Sequence, residues 1–230
     1  MSAWNGDDEL FALVRRELFT SVVGDVMDKL QLFYQFLPPA IRPLWQDMVL
    51  IGRAMPVLSV DVSEERISGS DRVMDKPFGL MLEALDDLRP NEVYINSGSF
   101  PRNAALWGEM MSTRAIRLGA TGAVLNGYSR DTKAVLNLNF LTFSWGSYGQ
   151  DAATRSKVVE FRISLEIGGI RVKPGDILFG DMDGVLVVPR EAEIEVFSRA
   201  IEKARGEKLV KKALDHGSSA VAAFEKYGIM

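Results

Sequence analysis

The sequence predicts an α/β fold with a mixed sheet or barrel-like centre between helical N- and C-terminal arms. Three observations predict it. Residues 92–126 read as strand, loop, helix and strand, an order that argues for a right-handed crossover and parallel pairing. Beyond residue 140 the pattern changes to short apolar runs joined by Gly and Pro turns. From Arg190 onward it is helical and charged.

In the N-terminal arm, Leu10, Phe11, Leu13, Val14 and Leu18 recur at helical spacing over residues 7–18. Thr20 or Ser21 can cap a second helix running to Leu30, with Val22, Val23, Val26, Met27 and Leu30 on its buried side. Pro38, Pro39 and Pro43 then break the chain into a loop. Residues 54–62 read as a strand, 63–76 as a polar connection and 77–87 as a helix. After the turn at Arg89-Pro90-Asn91, residues 92–96 form a short buried strand and 97–99 a loop. A helix starts near Leu106 or Trp107 and ends at Leu118-Gly119-Ala120, where Gly119 suits a left-handed cap. Residues 123–126 are the next strand. Residues 140–145, 158–167 and 177–179 read as further strands, Ile167-Gly168-Gly169-Ile170 as a hairpin and Lys173-Pro174-Gly175-Asp176 as a turn. Residues 180–184 lead into the apolar run 185–188, which Pro189 stops. The arm that follows is expected to break near Gly206 and again at Gly217. With no internal repeat, the 230 residues read as one domain, with a core over about 20–190 and a helical arm over about 190–230.

Composition removes several classes of function. A net charge of −4 gives no broad electrostatic footprint for nucleic acid or an anionic membrane. The absence of cysteine excludes disulfides, thiolate catalysis and Cys-ligated zinc. The single histidine, His216, excludes a multi-His metal site within one chain. Acid–base chemistry therefore falls to carboxylates, lysine, tyrosine or bound water. The acidic N-terminus lacks the order of a signal peptide, and no apolar run reaches the length of a membrane span. A cytoplasmic protein is expected.

The chemistry concentrates in one stretch. Glu109 stands at a helix start, and Arg130-Asp131 follows the return strand after the 20 residues 110–129. A helix and its return strand bring their outer ends to one sheet edge, which gathers a carboxylate, a guanidinium and a second carboxylate around one cleft. A lone carboxylate such as Asp131 can hold Mg²⁺ or Mn²⁺ when water and a chelating substrate supply the other ligands. Arg130 offers a fork of donors to a carboxylate or enolate oxygen. Both serve one site only if the chain turns there, which Asn126-Gly127-Tyr128-Ser129 supports. The amides of Met110 and Met111, free in a first helical turn, favour an anion. Taken singly, Glu109 also fits a first-turn acid and Arg130-Asp131 a surface pair.

These residues resemble the RraA-like family, which includes 4-hydroxy-4-methyl-2-oxoglutarate aldolases and a regulator of ribonuclease E activity. The family's aldolases carry an acidic residue, 20 intervening residues and Arg-Asp, as do Glu109, 110–129 and Arg130-Asp131 here. Thr20 to Leu30, Pro90 to Gly98, Gly168 to Asp176 and Gly180 to Pro189 are similar to the family as well, so the resemblance spans about residues 20–215. It implies a swivelling β/β/α-type domain in homotrimers or homohexamers with sites between subunits. It implies Mg²⁺ (or Mn²⁺) held through Asp131, Arg130 on the pyruvate enolate, the Met110 and Met111 amides on its carboxylate, and Glu109 holding a proton-relaying water. A neighbour's Glu207 is the candidate to complete the site. Two departures stand out. Glu109 replaces the aldolases' Asp, and Asn96-Ser97-Gly98-Ser99 replaces a more glycine-rich, acid-led loop. The implied activity is retro-aldol release of pyruvate from a 4-hydroxy-2-oxo acid, with oxaloacetate decarboxylation beside it. The alternative is a non-catalytic oligomeric regulator that binds a ribonuclease or similar protein; the regulators typically lack the carboxylate that Asp131 supplies. Methylation of a quinone precursor, a third possibility, lacks a glycine-rich methyl-donor motif.

Other candidates have plainer readings. Lys29, Lys76 and Lys133 read as solvated lysines rather than Schiff-base formers. Asp181 and Asp183 look like a metal pair but equally like turn residues. Gly122 and Gly127 lack a dinucleotide fingerprint. Trp107 and Trp145 read as core, Tyr128 as a neighbour of Arg130, and the basic run from Arg199 to Lys212 as a solvated helix face.

Overall fold

The two apolar stripes at the start of the chain form helices α1 (Asp7–Glu17) and α2 (Thr20–Lys29). The structure, a computed structural model, describes residues 4–62, 73–99 and 103–229. The first part of the connection expected over 63–76 lies outside them. The helix-start donor at α2 is met from far away. The Thr20 amide and hydroxyl donate to the Asp181 carboxylate at 2.8 and 2.7 Å, and the Asp183 amide donates to it at 2.9 Å. Asp181 thus locks a tight turn to a helix start 161 residues away, and the turn reading of Asp181 and Asp183 accounts for the pair. Asp181→Ala strips three donors of their acceptor in a site only 9% exposed. It is expected to cost about 3 kcal/mol, read as a lower urea midpoint at unchanged slope. A loss below about 1 kcal/mol would mean that the lock is dispensable.

An eight-stranded mixed sheet forms the centre. Its main path runs β1 (Arg42–Pro43), β7 (Leu141–Ser144), β5 (Gly122–Leu125), β3 (Glu92–Ser99), β2 (Leu50–Asp61), β11 (Ile177–Asp181) and β12 (Gly184–Val188), with β8 (Ser156–Phe161) also on β2. The β2–β3, β3–β5 and β5–β7 pairs are parallel, as the crossover pattern predicts. The others are antiparallel. Before entering β1, the chain bonds β12 through Leu37 N to Val185 O at 2.8 Å and Val187 N to Gln35 O at 2.9 Å. One segment therefore meets both ends of the path, and the sheet is nearly closed.

Alternation along the strands divides the core. Leu50, Ala54, Val93, Ile95, Val124 and Leu178 fill the inside. Ile51, Ile177, Phe179 and Leu186 pack outward on α1, α2 and the long helix α6 (Glu193–Asp215) through Phe11, Val26 and Phe197. Arg53 of β2 ties the arms down by pairing with Asp7 of α1 and Glu193 of α6. On the other outer face Met55, Val57, Tyr94, Ala123 and Leu125 pack on α3 (Met81–Asp86), α4 (Glu109–Arg117) and α5 (Thr132–Asn137). The cavity lined by Arg130 and Asp131 forms in this layer.

Several local readings are corrected. The helix expected near Leu106 starts at Glu109, because Ala105–Trp107 form strand β4. Residues 97–99 extend β3 beside β2 instead of looping away, with Gly98 so close to the Ser59 carbonyl that no side chain fits. The strand over 158–167 splits into β8 and β9 (Leu165–Ile167) at Arg162, whose backbone is left-handed (φ 56°) and whose guanidinium is held by Glu92 at 2.7 and 2.9 Å. β9 pairs with β10 (Ile170–Val172) in the expected hairpin. Helix α6 runs straight through Gly206, which makes room for the returning chain: a Cβ there would lie 2.5 Å from Ile229 Cδ1. The break falls at Gly217, before α7 (Ala220–Tyr227). No helix among the described residues is long and apolar enough to cross a membrane.

Candidate functional site

A two-stranded parallel ribbon assembles the site. β6 (Tyr128–Ser129) pairs with β4, setting Ala105 beside Tyr128 and Trp107 beside Ser129. The Arg130 amide donates to Trp107 O at 2.9 Å. Residues that follow the two strands, Gly108-Glu109 and Arg130-Asp131, are thereby brought together. Successive residues of an extended chain point to opposite faces. Asp131 escapes that rule with φ 55° and ψ 33°, a left-handed conformation that Asp tolerates better than most residues. The turn expected from residues 126–129 is thus made by Asp131 itself, at the start of α5.

Asp131 Oδ2 accepts from the Glu109 amide at 3.3 Å and lies 3.8 Å from Arg130 Nε. Gly108 permits this approach: a Cβ would stand 2.6 Å from Asp131 Oδ2. The first helical bond of α4 runs from Ser112 N to Gly108 O at 3.1 Å. The amides of Met110 and Met111 have no acceptor among the described residues, as a first helical turn predicts. Behind them Trp107 is fixed, its Nε1 donating to Ser112 Oγ at 2.7 Å and its ring packed on Tyr94 and Phe140 at 4.9 and 5.6 Å.

Asp151 joins the site without any signal in the sequence. Its Oδ1 lies 3.4 Å from Arg130 Nη1. The chain from 145 to 150 runs beside β6 and β4, with Ser129 N on Gly146 O at 3.0 Å, Tyr148 N on Ser129 O at 2.8 Å and Ala105 N on Gln150 O at 2.8 Å.

Gly108, Met110, Met111, Arg130, Asp131 and Asp151 line a cavity of about 430 Å³. The sequence profile of the RraA-like family, described as Aldolase/RraA, matches residues 20–187. The chain belongs to the RraA-like family. A protein of Halalkalibacterium halodurans, provisionally named as a 4-hydroxy-4-methyl-2-oxoglutarate aldolase, is 25% identical over 209 residues, covering 91% of this chain and 90% of its own. Protein DlpA of Legionella pneumophila is 27% identical over 82% of this chain, which spans only 29% of DlpA. A solved structure described as a novel cellulase from gut-associated microbes is 30% identical, with a TM-score of 0.79 and 90% of each chain covered. RraAS2 of Streptomyces coelicolor, described as an unusual member of the RNase ES inhibitor RraA family, has a TM-score of 0.78 over 90% of this chain and 99% of its own. At 19% identity it speaks for the fold alone.

Within this RraA-like chain the remaining candidates are distributed as follows. Glu109 presents its amide to Asp131, but its exposed side chain does not line the cavity. Glu207 sits on α6, paired with Lys203 at 2.6 Å and away from this chain's cavity. Tyr128 packs on Trp145 and Tyr148 at 5.7 and 5.5 Å and is not among the lining residues. No lysine lines the cavity among the described residues, and Lys76 is paired with Glu83. No group of three or more His, Cys, Asp or Glu suited to a metal occurs among the described residues. The Asp131 side chain is 45% exposed, with Asp151 the other carboxylate on Arg130. Such a donor set does not form an all-protein cage. It fits a hard Mg²⁺ or Mn²⁺ ion that keeps waters and takes substrate oxygens.

Proposed function

We propose that this RraA-like chain is a divalent-metal-dependent lyase that cleaves a 4-hydroxy-2-oxo acid by a retro-aldol reaction and releases pyruvate, with oxaloacetate decarboxylation as a side activity. The observation that carries the reading is the convergence of Arg130, Asp131, Met110 and Met111 on one cavity, with the amides of Met110 and Met111 lacking an acceptor among the described residues. The name of the Halalkalibacterium halodurans relative supports the substrate class.

In this reaction the C3–C4 bond breaks and its electron pair stays on C3 as the pyruvate enolate. The 4-hydroxyl gives up its proton and becomes the carbonyl of the leaving aldehyde or ketone, and C3 is then protonated. Arg130 sets its donor fork beside the enolate oxygen. The Met110 and Met111 amides take the pyruvate carboxylate at the positive end of α4. Asp131 would hold a divalent cation, which when bound would supply electrophilic stabilisation of the developing charge. Glu109, exposed between two lining residues, holds the water that carries the proton. Glu207 of a neighbouring subunit completes the site in a homotrimer or homohexamer. Decarboxylation of oxaloacetate reaches the same enolate with loss of CO₂ and needs no base.

A coupled assay for pyruvate over a panel of 4-hydroxy-2-oxo acids tests the reading. Turnover is expected to vanish with a chelator and to return with Mg²⁺ or Mn²⁺. If no acid on the panel, and not oxaloacetate either, yields metal-dependent pyruvate, the lyase gives way to the non-catalytic regulator.

A further inference from the structure

Leu85, Leu106 and Val158 give the cavity an apolar wall, and the charged side chains described on it are Arg130, Asp131 and Asp151. Arg130 and Asp131 have roles in the retro-aldol reaction; Asp151 is the third charge. The chain around Asp151 holds it still. The Ala105 amide donates to Gln150 O at 2.8 Å, and a parallel bridge sets Asp151 beside Ala105 of β4. Asp151 Oδ1 accepts from the Ala153 amide at 3.2 Å, so the side chain closes a turn of its own backbone. The Asp151 carbonyl accepts from Arg155 Nη1 at 3.0 Å. The oxygen that closes the turn also stands 3.4 Å from Arg130 Nη1. Arg130 Nε lies 3.8 Å from Asp131 Oδ2. Two carboxylates thus meet two different nitrogens of one planar group, and together they set the plane of the fork as well as its place. The Arg130–Asp151 pair contributes little to stability, because its side chains are 37% and 50% exposed and exposed ion pairs are weak. Its effect is on direction. A long side chain whose head is already oriented need not be ordered when the reaction begins.

We infer that Asp151 is a positioning residue, which holds the Arg130 guanidinium in the orientation that meets the enolate oxygen. The inference rests on the retro-aldol reading for the identity of that oxygen, and it adds a residue to the same site. Asp151 acts through Arg130 alone, so its removal should matter only while the planar fork is present.

Asp151→Asn is the test, because asparagine keeps an oxygen for the Ala153 amide and removes the charge that draws Arg130. Oxalate, a planar dianion shaped like the pyruvate enolate, is titrated by calorimetry in Mg²⁺ into wild type, Asp151→Asn, Arg130→Lys and the double variant. For wild type and Asp151→Asn, kcat and KM for pyruvate release are measured on the panel acid that turns over fastest. Asp151→Asn is expected to weaken oxalate about tenfold and to lower kcat about tenfold, with KM within about twofold. The sign is decisive: removal of a bystander negative charge would tighten a dianion instead. In the Arg130→Lys background the change is expected to bring no further loss of oxalate binding, because lysine has no planar fork to orient. Unchanged or tighter oxalate binding in Asp151→Asn overturns the inference, as does an equal loss in both backgrounds. A collapsed melting temperature in Asp151→Asn, or a wild type that binds no oxalate, overturns it as well. Tenfold weaker oxalate binding that depends on Arg130, with no pyruvate from any acid in wild type, overturns the lyase reading and leaves Asp151 in its role.

Discussion

Asp131→Asn is expected to lower kcat/KM for metal-dependent pyruvate release about a thousandfold and to leave the fold intact. Asparagine is the informative replacement because it keeps what the backbone needs. Position 131 is left-handed (φ 55°), and Asn accepts that conformation as readily as Asp does. The amide oxygen can still take the Glu109 N–H that Asp131 Oδ2 accepts at 3.3 Å. What disappears is the negative charge, the property a divalent cation requires of its one strong protein ligand. The side chain is 45% exposed, so stability should change by no more than about 0.5 kcal/mol. The measurement is kcat/KM as a function of Mg²⁺ concentration, with a thermal melt on the same sample. Wild-type turnover at the wild-type half-saturating Mg²⁺ would remove Asp131 from the proposed metal site.

Much of this site is readable beforehand because its key groups are short-range features. Arg130-Asp131 is one dipeptide, and Glu109-Met110-Met111 opens one helix. The helix–strand pattern between them states that they return to a common edge. Asp151 is invisible for the opposite reason. It arrives on an irregular segment held to β4 and β6 by backbone hydrogen bonds, and backbone bonds leave no trace in residue type. The apolar wall is equally hidden. Leu85, Leu106 and Val158 belong to three separate elements, and each alone is indistinguishable from ordinary core. The same limit governs the fold. Local pattern places α1 and α2 through their hydrophobic period and the β9–β10 hairpin through its Gly168-Gly169 turn. It reads straight through Arg162, where Glu92 from a distant strand holds the turn, and it makes a break of Gly206, which instead accommodates Ile229.

Gly108→Ala is the sharpest test of geometry, because it adds one methyl group and alters no charge. Gly108 is extended, with φ −162° and ψ −169°, a conformation any residue adopts, so the backbone is not strained by the change. The new Cβ would meet Asp131 Oδ2 at 2.6 Å, Arg130 Cγ at 3.3 Å and Arg130 Nε at 3.5 Å. The tightest of these contacts is with the end of a rotatable side chain, so the protein can relieve it by swinging the carboxylate aside. That relief should cost less than about 1 kcal/mol of stability. It should cost far more in turnover, since the carboxylate leaves the Glu109 amide and the Arg130 fork together, and a displacement of this size can cost about a hundredfold in rate. The expected result is kcat/KM down by about a hundredfold, with weakened activation by Mg²⁺ and a nearly unchanged melting temperature. Full activity would mean that the close approach of Gly108 to Asp131 has no part in the chemistry. A collapsed melting temperature would move the role of Gly108 from the site to the β4–α4 junction, and a full Mg²⁺ response in the surviving folded protein would confirm that move.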